Sequence, residues 1–180
     1  MSLGGYLMMP WGSAFAINNV GISQAELPLL FMLVGISTFM IMPLIGMLAD
    51  KINKFQLFMG ASLIMTIAVL IYVRLEQSGF LLLTIVNMLM MSGIMARMVP
   101  SQALTSAVPE LHDRGAFMSI NSSLQQIAGG VAAIIGGKIV WQINPNSPLM
   151  NFELLGWVVV AVILVNILLT KRVYNYVSKK

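Results

Sequence analysis

The amino-acid sequence predicts an all-α membrane protein with six transmembrane helices. Three observations lead there. Of 180 residues, 58% are hydrophobic and 9% charged, where soluble domains carry about 25% charged residues. Mean hydropathy is +0.89. A soluble fold of this length would still expose about a third of its chain surface, so it cannot hide that much apolar side chain. Second, the charges sit in short breaks between apolar runs of about 20 residues, the length that crosses ~30 Å of hydrocarbon. Third, the runs are apolar on every face. A β-barrel strand would alternate with period two.

The predicted helices cover about residues 3–19, 24–49, 54–74, 80–108, 114–141 and 148–172 of one bundle. The first is the poorest. Its 17 residues, Leu3–Asn19, are interrupted by Gly4, Gly5, Pro10 and Gly12, so it reads as a truncated helix. The second opens on Ser23-Gln24-Ala25-Glu26, a capping-box pattern, and closes at Asp50, Lys51 and Lys54. Asn53 with Gln56 three residues on forms a capping pattern for the third, which ends at Arg74 and Glu76. The fourth is uncharged apart from Arg97. Asp113 stands where the fifth needs an N-cap, after the break at Glu110. Ser147-Pro148 reads as an N-cap followed by proline at the first helical position of the sixth, and Lys171 and Arg172 close it.

The net charge is +4 and the pI about 9.6. Ten basic residues at the ends of apolar runs are too few for a nucleic-acid partner and fit orientation in a bilayer instead. Lys51, Lys54, Arg114, Lys171, Arg172, Lys179 and Lys180 fall on one side, Arg74 and Lys138 on the other. The basic side, with the C-terminus, is therefore expected in the cytoplasm of a multi-pass protein of the cell (inner or plasma) membrane, surrounded by lipid. The sequence has no Cys, which excludes a disulfide framework, a thiolate zinc site and a thiol nucleophile. One histidine, His112 in a loop, supports neither a multi-His metal site nor an intramembrane serine protease. No pair of aspartates lies within a span. We expect no catalytic residues, no metal, no cofactor and no enzyme.

Two stretches carry more than solvation. The first is Gly46-Met47-Leu48-Ala49-Asp50-Lys51-Ile52-Asn53-Lys54. The second runs from Val99-Pro100-Ser101-Gln102 through Val108-Pro109-Glu110 and Asp113-Arg114-Gly115-Ala116 to Ser122-Ser123, Gln125-Gln126, Gly129-Gly130 and Gly136-Gly137. Gly129 with Gly136, and Ser123 with Gly130 and Gly137, stand at heptad spacing and form a small-residue stripe for close helix packing. The first stretch resembles motif A of the major facilitator superfamily, G-x-L-A-D-[RK]-x-G-[RK], at Gly46, Leu48, Ala49, Asp50, Lys51 and Lys54. It departs at Asn53, where the family has Gly; Asn tolerates the left-handed backbone that such a turn can use. The second resembles the passage from fourth to fifth helix in a half of such a transporter, with an Arg-Gly turn.

The resemblance covers about residues 10–172. It implies one half of a major facilitator fold, the C-terminal six-helix half, built as a 3+3 inverted repeat. It also implies a fragment of a longer transporter, entered partway through its first helix. Its partner would be the N-terminal six-helix half, and the function movement of a small-molecule solute by alternating access, with efflux or drug-proton-antiporter members as the nearest type. On this resemblance Gly46, Asp50, Lys51, Lys54, Arg114 and Gly115 belong to the gate, with Asp50 bracing it. The first, second, fourth and fifth helices line the cavity; the third and sixth face lipid. Candidate cavity groups are the polar residues Asn18, Asn19, Asn87, Arg97, Gln125 and Gln126. Each could equally serve as an interhelical hydrogen bond. No acid lies deep in a span, so a coupling carboxylate is expected in the other half. The alternative is a stand-alone six-helix protein: a homodimeric half transporter, or a copper-handling protein using the soft thioethers of its 16 methionines, such as Met91 and Met95.

Overall fold

The computed structural model describes residues 3–179. Helix α1 (Leu3–Met8) passes through a 3-10 turn at Met9–Trp11 into α2 (Gly12–Asn18). After a 3-10 turn at Gln24–Glu26 come α3 (Leu27–Lys51), α4 (Lys54–Tyr72), α5 (Gly79–Ser106), α6 (Arg114–Ile139) and α7 (Phe152–Val177). Among the described residues there is no strand, only an isolated antiparallel bridge between Trp141 and Met150.

Local chemistry sets these boundaries. Proline has no N–H to donate and clashes with the preceding turn, so Pro10 converts the first helix into two short pieces. The capping box at Ser23 is formed: the Ser23 N–H and hydroxyl both donate to Glu26 Oε2, at 2.7 and 2.8 Å. Asn53 caps α4 by accepting the Phe55 N–H at 2.8 Å. Its φ is −59°, so the left-handed turn allowed for in the motif is not used. Asp113 is the N-cap residue of α6 but makes no side-chain cap bond. Arg114 and Gly115 are already helical; the turn lies before them. Ser147-Pro148 does not start α7. The Ser147 hydroxyl instead accepts the Asn144 N–H and donates to its carbonyl, and α7 begins after Asn151, which takes φ 60°. At its other end α7 continues past Arg172 to Val177.

Among the described residues, four helices are long and apolar enough to cross a membrane: Gln24–Lys51, Lys54–Tyr72, Gly79–Ser106 and Phe152–Val177. The pieces of the first segment, six and seven residues, are each too short. Helix α6 has 26 residues but is not among the four, since serines, glutamines and glycines fill much of it.

Helix α5 packs along α3 and α4, α4 also meets α7, and α1 lies along α6 and α7. Glycines mark the tightest contacts. A Cβ on Gly93 would stand 3.0 Å from Met65 Cβ, and one on Gly156 2.7 Å from a Val73 methyl. An aromatic cluster fills one end of the core, where the Phe15 and Phe152 rings stack at 4.1 Å and Tyr72 tilts against Phe15 at 4.9 Å. At that end Arg74 pairs with Glu153 at 3.0 Å. At the opposite end, which carries Lys51, Lys54, Lys171 and Arg172, the Asn53 amide donates to the Tyr174 hydroxyl.

Candidate functional site

Neighbouring contacts orient each helix around an open face of the bundle. Successive α-helical residues turn by about 100°. On α5, Gly93 faces Met65 of α4 and Ile94 faces Gly5 of α1, while Ser92 and Ala96 face the crevice between α3 and α4. The side of α5 turned away from α4 therefore carries Met88, Met91, Met95, Met98 and Gln102, none of them buried. On the first segment, Gly5 faces α5 and Tyr6 faces Gly129 of α6. One turn on, Met9 emerges between them, 72% exposed, and Ser13 is exposed beyond the break.

Helix α6 forms the other wall. A Cβ on Gly129 would lie 3.0 Å from the Tyr6 ring, and one on Gly136 2.9 Å from the Leu7 carbonyl oxygen. Gly137 lies beside the Trp11 ring. The stripe that continues from Gly137 is Gly130, Gln126, Ser123 and Ser119, all exposed. A thioether-rich wall on α5 thus faces the same open side as a hydroxyl- and amide-bearing wall on α6, with the proline break between them.

The sequence-selected polar residues divide. Gln125 and Gln126 are exposed, with no hydrogen bond among the described residues. Asn18 donates to the Pro145 carbonyl at 3.1 Å. Asn19 makes a two-bond clip, donating to the Leu149 carbonyl at 3.1 Å and accepting the Leu149 N–H at 2.8 Å. Both amides fasten α2 to the loop before α7. Asn87 donates to the Leu83 carbonyl at 2.9 Å and meets the Tyr72 side chain, whose hydroxyl reaches the Gly12 carbonyl at 3.5 Å. This tie joins α2, α4 and α5.

Arg97 points away from the open face, into α4. It is 6% exposed. Its Nη1 donates to Met65 Sδ at 2.9 Å, and its guanidinium lies 5.1 Å from the Phe58 ring centre, a cation–π distance. Nε and Nη2 have no hydrogen-bond partner among the described residues.

Of the gate residues, Asp50, Lys51, Lys54, Arg114 and Gly115 are exposed and Gly46 is half-buried. Nothing lies within 4 Å of where a Cβ of Gly46 or Gly115 would be. Asp50 has no ion pair or hydrogen bond among the described residues. Asn53 holds Tyr174 as well as capping α4, and the Phe55 and Tyr174 rings stack at 5.7 Å. Sequence reasoning passed over Tyr72 and Tyr174, because single aromatics in apolar runs carry no signal of a distant partner.

A family model described as Major Facilitator Superfamily matches residues 1–178. No curated protein and no solved structure matches the chain.

Proposed function

Because the chain belongs to the major facilitator superfamily of transporters, we propose that it forms one six-helix bundle of a secondary transporter, its C-terminal half. In this reading it moves a small solute by alternating access against a second six-helix bundle. The transporter is multi-pass, and its Lys51 end faces the cytoplasm of a cell membrane. The solute path runs along the open face, between the methionines of α5 and the polar stripe of α6. Asp50, Lys51, Lys54 and Arg114 then lie at the cytoplasmic gate, where Asp50 braces the second bundle. The contact pattern agrees with a 3+3 inverted repeat: exchanging the first three helical segments with the last three turns the packing of α3 on α5 into that of α6 on α1. An efflux role is the finer form of the proposal.

The observation that carries this reading is the exposed polar side of α6. Ser119, Ser123, Gln125 and Gln126 are exposed within a 26-residue helix. Amides have no hydrogen-bond partner in hydrocarbon, and such groups turn toward protein or a water-filled cavity. The exposed side of α7, with Leu164, Val165 and Leu168, suits lipid. The chain has no native cysteine, so each introduced cysteine is its one spin-labelling site once any cysteine of the second bundle is replaced. In the parent protein in bilayers, a label at Gln126→Cys is expected to collide little with membrane-dissolved oxygen, and one at Leu168→Cys strongly. Equal, lipid-like collision at both sites would overturn the proposal.

A further inference from the structure

Helices α3 and α4 make few contacts with each other, and a groove of about 370 Å³ runs between them. Gly93 and Ala96 of α5 form its floor; Ile45 and Leu48 of α3 and Gly60 and Ile64 of α4 stand along its walls. Gly60 is exposed, and nothing lies within 4 Å of where its Cβ would be. Along α3 and its C-cap residue the lining extends from Ile41 to Ile52, about 16 Å at 1.5 Å per residue. That is about half of a 30 Å hydrocarbon core, or one leaflet. The lining is apolar apart from Gln56 and Ser92, and the Ser92 hydroxyl donates within its own helix to the Met88 carbonyl at 2.6 Å, so the groove suits a hydrocarbon chain.

Charge identifies the occupant. Lys54 stands three residues before Leu57 and seven before Ala61, at the edge of the α4 side that lines the groove. Lys51 lies one turn beyond Leu48, and both lysines are exposed. Asp50 is turned about 200° from Leu48, away from the groove. We propose that the groove binds one acyl chain of an anionic phospholipid, whose phosphate is held by Lys51 and Lys54. This rests only on α3, α4 and α5 spanning a bilayer with the Lys51 end at its surface, and it holds whether or not the solute path is as proposed.

The test is native mass spectrometry of the protein released from nanodiscs of phosphatidylglycerol and phosphatidylcholine. The wild type is expected to retain one lipid, with phosphatidylglycerol preferred. Gly60→Phe places a ring in the groove and is expected to lose that lipid whatever its headgroup. Lys51→Gln with Lys54→Gln, both on the surface, is expected to keep a lipid but lose the headgroup preference, by about fivefold per lysine. Undiminished retention in a folded Gly60→Phe protein would overturn the proposal. So would an unchanged preference in the double-lysine variant, or a protein dimer that Gly60→Phe abolishes.

Discussion

At the scale of single residues, Arg97 poses the sharpest energetic question. A buried guanidinium without a carboxylate partner costs more in desolvation than one thioether contact and one ring face return. Its stem, however, fills the seam between α4 and α5. Arg97→Met keeps the volume and removes the charge, so the melting temperature is expected to hold or rise. Arg97→Ala removes the packing too and is expected to cost on the order of 2–5 kcal/mol. Thermal unfolding of the two variants in detergent checks this; a lower melting temperature for Arg97→Met than for Arg97→Ala would contradict it. The sequence showed Arg97 as a costly group in an apolar run but not its direction, because one residue of helical phase separates Ala96 at the α3–α4 crevice from Arg97 at α4. Asn18 and Asn19 were equally visible, yet their partners lie 127 and 130 residues away, beyond any local pattern. The Ser23 capping box closes within four residues and was legible.

At the scale of elements, the close contact of α1 with α6 depends on glycine. A methyl on Gly136 would press on a backbone carbonyl at 2.9 Å, which a side-chain rotation cannot relieve, whereas Gly130 has open space. Gly136→Ala is therefore expected to destabilise by about 1–3 kcal/mol. Gly130→Ala is expected to be near neutral, since alanine is the better helix former. Denaturant titration of both variants reads the difference, and the reverse order would contradict the packing described. The glycine pattern is heptad-spaced in the sequence, but which of the two stripes meets α1 depends on how α6 is rotated. Element ends behaved similarly. Ser147-Pro148 has the chemistry of a helix start, but the Trp141–Met150 bridge holds that segment as a loop, and α7 starts four residues later than Pro148. Likewise Pro10 signalled a weak first helix, and the 3-10 turn that joins α1 to α2 contains it.

At the scale of the whole molecule, composition and charge spacing were enough to identify an all-helical membrane protein. They could not show which faces remain open, because nearly every face of α3 and α5 reads as apolar. Only the contacts distinguish the side of α5 turned to α4 from the side carrying Met88, Met91, Met95 and Met98. The central claim is that this side and the polar stripe of α6 line a path opened alternately to the two membrane surfaces. Its most direct test is the reactivity of Gln126→Cys in the reconstituted transporter toward a membrane-impermeant maleimide. The account predicts labelling from either side of the membrane, with a ratio that shifts when solute is bound. A cysteine that never reacts, or reacts from one side at a rate unaffected by any transported solute, would contradict it.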